Sequence, residues 1–94
     1  MRPVKTHLFR HKRWRIHDSQ YLRDGTLGEC RYEDSRRKCP VLYIPTRGGT
    51  LEALDTIVHE ALHACVELDE HGVSQTATSI AGLLWRLGWR KQDL

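Results

Sequence analysis

Ninety-four residues with 39% hydrophobic and 29% charged side chains suit one globular α+β domain, residues 1–94, with a single modest core, and they speak against a disordered or multidomain chain. No apolar run is long enough to cross a bilayer, and the basic start MRPVKTHLFRHKRWR lacks the apolar stretch of a secretory signal, so no membrane partner is expected. The net charge of +3 conceals an asymmetry: residues 1–47 carry twelve Lys/Arg against five Asp/Glu, and residues 48–94 carry three against seven. Such a basic half suits either an anionic partner such as nucleic acid or a solvated strand face that balances the acidic half.

In chain order, residues 5–17 (KTHLFRHKRWRIH) alternate imperfectly. Thr6, Leu8, Trp14 and Ile16 share one parity, and His7, His11, Arg13, Arg15 and His17 share the other, which predicts one half-buried strand. The three histidines of that second set are expected on a solvated face. Asp24-Gly25 and Gly28 mark a turn or irregular connection, and Leu27 to Tyr32 reads as a short second strand. The polar run from Glu33 to Lys38 is a loop closed by Cys39-Pro40. Val41-Leu42-Tyr43-Ile44 is then a strongly β-prone third strand, ended by Pro45.

After Arg47-Gly48-Gly49 the pattern changes. Thr50 can cap a helix, and apolar residues recur at helical spacing from Leu51 to about Leu68. Asp69 can cap a second helix over roughly 70–87, which Gly88 would stop. The expected fold is therefore a three-stranded sheet followed by two helices, the first carrying the chemistry.

That chemistry sits in IVHEALHAC, residues 57–65. His59 and His63 are one helical turn apart on the same face, so their imidazoles can grip one metal ion together. Neutral imidazoles suit Zn²⁺, and two of them leave room for a third ligand and a water. Glu60 stands beside that water and can take its proton. This is the HExxH pattern, which needs the helix that the apolar periodicity independently predicts. Cys65 lies roughly 200° round the helix from His63 and is expected in the core. The odd cysteine count, three, fits a reducing cytoplasm better than a disulfide scaffold, and Cys30 and Cys39 read as structural thiols. Trp85 and Trp89 read as packing residues.

For the third ligand the chain offers Glu67, Asp69, Glu70 and His71. Three ligands on one straight helix fit a tetrahedron poorly, which disfavours Glu67, and Asp69 is better used as a cap. Steps of three and four from Glu70 reach Val73, Ala77, Ile80/Ala81 and Leu84, the apolar stripe of the second helix. The same steps from His71 reach Ser74, Gln75 and Thr78. Glu70 is therefore the expected ligand, although His71 has the better ligand atom. Tyr43 and His71 are both candidates for stabilising an oxyanion.

The run LDTIVHEALHACVELDEHGVSQTATSIAGLLWRLGW resembles short zincin-type proteins of phages and bacteria, a minimal gluzincin-like pattern, with the likeness spanning residues 41–90. The resemblance implies a zinc-dependent peptidase with His59, His63 and an acidic residue as ligands and Glu60 as base. It also implies that the third strand borders the cleft, so that Val41, Leu42, Tyr43 and Ile44 would line a peptide or protein substrate. The chain lacks the second subdomain of larger gluzincins, which points to a restricted substrate. The alternative from another class is a zinc-stabilised regulatory module that uses its basic N-terminal face on nucleic acid or a host protein.

Overall fold

The structure, a computed structural model, describes residues 4–21, 27–31 and 40–91. Its strands are β1 (Thr6–Phe9), β2 (Lys12–Asp18), β3 (Glu29–Arg31) and β4 (Val41–Ile44), and its helices are α1 (Leu51–Cys65) and α2 (Glu70–Arg86). The fold is α+β, with four strands among the described residues where the sequence pattern predicts three. The turn expected at Asp24-Gly25, the loop 33–38 and Cys39 lie outside the described residues.

The extra strand comes from splitting residues 5–17 into a hairpin. Phe9 pairs with Lys12, so Arg10 and His11 form a two-residue turn. Arg10 adopts φ 57°, the left-handed backbone that tight hairpins require and that residues other than glycine seldom take. Its guanidinium reaches Cys65 O at 3.2 Å, anchoring the turn to the end of α1. No Asn-Gly or Asp-Gly signal marks this turn, which is why periodicity alone runs through it.

The hairpin also inverts the expected parity. In the observed register His7 faces Trp14 and Leu8 faces Arg13. Directly opposed residues share a face, so Trp14 and Ile16 group with His7 and Phe9, not with Thr6 and Leu8. Phe9 meets Trp14 edge-on at 6.4 Å, and Trp14 is buried while Leu8 is half exposed.

The sheet order is β1-β2-β4-β3, with β2 and β4 parallel and the other pairs antiparallel. β4 is thus interior, which corrects the expectation that Val41–Ile44 forms the substrate edge: its backbone pairs with β2 on one side and β3 on the other. Asp18 ties the ends of the two parallel strands together, accepting from Thr46 Oγ1 and from the Gln20 amide.

Thr50 caps α1 by accepting from the Ala53 amide at 3.1 Å, and Asp69 caps α2 by accepting from Gly72 at 2.7 Å. α1 ends at Cys65, a turn earlier than its apolar pattern suggests, because β-branched Val66 takes an extended backbone (φ −137°). Residues 66–69 then reverse the chain. Val73, Ala77 and Ala81 line the fully buried face of α2, and the two small alanines let the helix axes approach closely. Thr78 Oγ1 donates to Asp55 Oδ2 at 2.9 Å across the pair.

Candidate metal centre

α1 lies over the sheet face that carries Gly28, Cys30 and Leu42. A Cβ built on Gly28 would stand 2.8 Å from Thr56 Cγ2 and 2.9 Å from Glu60 Cγ. Only a glycine lets the chain entering β3 pass this close to the helix, so Gly28 sets how deeply Glu60 sits. Glu60 is buried, at 7% exposure, although it is a carboxylate on a helix of a small protein. Burial drives its pKa up to about 7; His63 pulls the other way, and the charges of Glu70 and Glu29 add to the rise. Cys30, on the same face, is pushed to about 11 by burial and then by the charge of Glu60, so its thiol stays protonated and unreactive.

His59 and His63 are half-buried on α1, and their Nε2 atoms lie 3.2 Å apart. The reversal after Val66 brings Glu70, the first residue of α2, across from both. Its Oε1 is 2.8 Å from His59 Nε2 and its Oε2 is 2.9 Å from His63 Nε2. Glu60 Oε1 stands 3.8 Å from His59 Nε2. The ligand atoms of His59, Glu60 and His63 all fall within 4.8 Å of one another, a group that could hold a metal ion.

The hydrogen-bond arithmetic supports a cation. If both imidazoles donate to Glu70, two N–H groups face each other at the observed 3.2 Å. A positive ion between the two ring nitrogens and the Glu70 carboxylate removes that conflict. Ligands about 2.0–2.1 Å from a tetrahedral ion lie about 3.3 Å from each other; the two ring nitrogens are near that spacing at 3.2 Å, while the Glu70 oxygens stand closer, at hydrogen-bond distance.

No family model, curated protein or solved structure matches the chain. The reading of the centre therefore stands on its own residues.

The structure brings together His59, Glu60, His63 and Glu70, all singled out by the sequence. It separates the others. Glu67 lies exposed between the helices, beyond the end of α1, and cannot be the in-line ligand of a longer helix. His71 is exposed on α2, out of phase with the buried stripe of Val73, Ala77 and Ala81. Tyr43 is paired with Glu29 and so alternates with Leu42 and Cys30; its ring points to the sheet face away from α1. There it meets His17 at 5.5 Å between centroids, and the Arg31 guanidinium at 5.1 Å. Val41 and Leu42 are core residues. What the sequence reading missed is Gly28, taken only as punctuation, whose lack of a side chain admits Glu60. Glycine beside a β-prone run is a signal of close backbone approach, but nothing local says to what.

Proposed function

We propose that the chain is a small zinc-dependent metallopeptidase. The observation that carries this reading is the convergence of His59, His63 and Glu70 on one point, with the buried Glu60 carboxyl next to it. Two imidazoles and one carboxylate are the ligand set of a catalytic zinc site that keeps a position open for water. A site serving structure alone is usually closed by a fourth Cys or His and has no use for a buried carboxylate beside it, which argues against the zinc-stabilised binding module.

Bound zinc would lower the pKa of a coordinated water toward about 7 and polarise a substrate carbonyl. The remaining work falls to the chain. His59 and His63 hold one side of the centre from a rigid helix, and Glu70 closes it from the next. Glu60 accepts the proton of the attacking water at its carboxylate and passes it to the leaving amine. β3 follows directly on Gly28, next to Glu60, and its outer edge pairs with no described strand. An extended peptide adding there would lie beside the base.

The test is hydrolysis of a diverse fluorogenic peptide library by zinc-loaded protein, with Glu60→Gln as control. Glu60→Gln should bind zinc as wild type does and cleave nothing. Absence of cleavage by wild type across the library, or equal cleavage by both, overturns the assignment.

A further inference from the structure

α2 packs on α1 through Val73, Ala77 and Ala81 and touches little else among the described residues. A second apolar stripe runs along it, about a quarter turn round the helix from the first. Thr76, Ile80, Leu83 and Leu87 follow one another at spacings of four, three and four, the repeat that lines a two-helix seam. Ile80 is 40%, Leu83 57% and Leu87 67% exposed, so three large aliphatic side chains face water in one row.

The surroundings of the stripe narrow what can cover it. On its outer side stand Gly72, Ser79 and Arg86, so a single charge borders it. A helix that lies on an anionic lipid surface carries rows of Lys and Arg beside its apolar face, and α2 has no such row. The stripe is also graded in size. Its first half is Thr76, with Gly72 and Ser79 beside it, and its second half is Ile80, Leu83 and Leu87.

Charge runs from one end of α2 to the other. Glu67, Asp69 and Glu70 are exposed at its start, and Arg86, Arg90 and Lys91 are exposed at its end. The basic end is held in place by the chain itself. Gly88 takes φ 95° and closes α2 in a Schellman turn, with Trp89 N donating to Leu84 O and Gly88 N to Trp85 O, both at 3.0 Å. Arg90 Nη1 donates to Trp85 O at 2.9 Å and to Trp89 O at 2.8 Å, and its guanidinium lies 3.3 Å above the Trp85 ring. This turn leaves Trp89 64% exposed, so it is not the packing residue that the sequence suggests.

A second α2 running in the opposite direction fits each of these features. The acidic start of each helix comes toward the basic end of the other, and the two helix dipoles oppose. In the antiparallel seam Ile80 of each copy lies against Leu83 of the other, and Thr76 against Leu87, so the small half receives the large half. A parallel pair would instead set Leu87 on Leu87 and acidic end beside acidic end. The face is thus complementary to its own copy turned by 180°, which is what a two-fold interface requires.

We propose that the exposed stripe of α2 joins two copies of this chain in an antiparallel, two-fold helix pair. The seam from Thr76 to Leu87 is about 17 Å long and one helix wide. It buries less than the roughly 1,600 Å² of a standard interface, so the dimer is weak and forms at high protein concentration. The stripe contains no residue of the metal centre, and the pairing stands whether or not the peptidase reading holds.

The test is sedimentation equilibrium of the full chain from about 10 μM to 2 mM, with chelator present so that no metal bridges two copies. Wild type should show a monomer–dimer equilibrium with a dissociation constant within about tenfold of 0.1 mM. Leu83→Asp, at an exposed position, should weaken it by at least about tenfold by burying a charge in the seam, and should leave the circular dichroism spectrum unchanged. Gln75→Glu, on α2 but off the stripe, should leave it as in wild type. In a mixture of isotope-labelled and unlabelled protein, magnetisation should pass between copies from the Leu87 methyls to the Thr76 methyl. A monomer at 2 mM would overturn the proposal and leave the stripe to a different protein. Association that survives Leu83→Asp, an oligomer larger than a dimer, or contacts between copies that join Leu87 to Leu87 would overturn it as well.

Discussion

Replacing Glu60 by glutamine in chelator-treated protein should stabilise the fold, and by an amount that depends on pH. Glu60 has its pKa raised by burial from 4.5 to about 7. A raised carboxyl pKa means that the folded state binds the proton more tightly than the unfolded state. The stability this gives is fully present below the unfolded value and is lost as pH rises through about 7. The shift corresponds to about 3 kcal/mol once the group is fully ionised. Glutamine fills the same space and carries no charge, so it removes this loss. Urea denaturation of both proteins should show the variant more stable by about 3 kcal/mol near pH 8 and by less than about 1 kcal/mol near pH 5. Taking the difference between the two proteins cancels the groups that titrate independently of Glu60. The same stability difference at both pH values would refute the reasoning, because it would mean that the ionised carboxylate is not penalised in its place between β3 and α1.

Zinc should bind at about one ion per chain, and stripping it with chelator should lower stability by about 3–4 kcal/mol at zinc concentrations 100 to 1,000 times the dissociation constant. His59→Ala and His63→Ala should each abolish this gain in thermal melts, and a gain that survives both would place the ion elsewhere. Glu70→Ala should weaken zinc by more than about 100-fold, since even outer partners of a metal ligand are worth 10–100-fold, while His71→Ala should change it little; competition with a chromogenic chelator separates them, and the reverse pattern would make His71 the ligand. Gly28→Ala forces overlap with Thr56 and Glu60 and should destabilise the fold by about 1–3 kcal/mol, read by chemical denaturation; an unchanged midpoint would show that the β3–α1 approach is looser than described.

Much of the centre was legible because it is local. The spacing of His59, Glu60 and His63 needs only a helix, and the helix announces itself through its cap and apolar repeat. Even the meeting of Glu70 with His59 and His63 could be expected ahead of one by His71, because the face of α2 that turns toward α1 has a phase. The strand β4, the cap Asp69 and the stop at Gly88 are also matters of a few neighbouring residues.

What only the tertiary structure decided involves pairing between distant segments. The two-residue turn at Arg10 has no sequence signal, since its left-handed residue is an arginine tied down by the carbonyl of Cys65, 55 positions away. That turn reverses which residues of β1 share a face with Trp14. It also lets β2 pair in parallel with β4, which places Val41–Ile44 inside the sheet and leaves β3, among the described strands, at the edge beside Glu60. Strand order is a choice among long-range partners whose backbones are chemically alike, so propensity and alternation cannot make it. Gly28 and Trp89 follow the same rule. The first is needed because a helix passes within contact of its missing side chain, and the second stands exposed because a helix end and Arg90 hold it at the rim of a cavity.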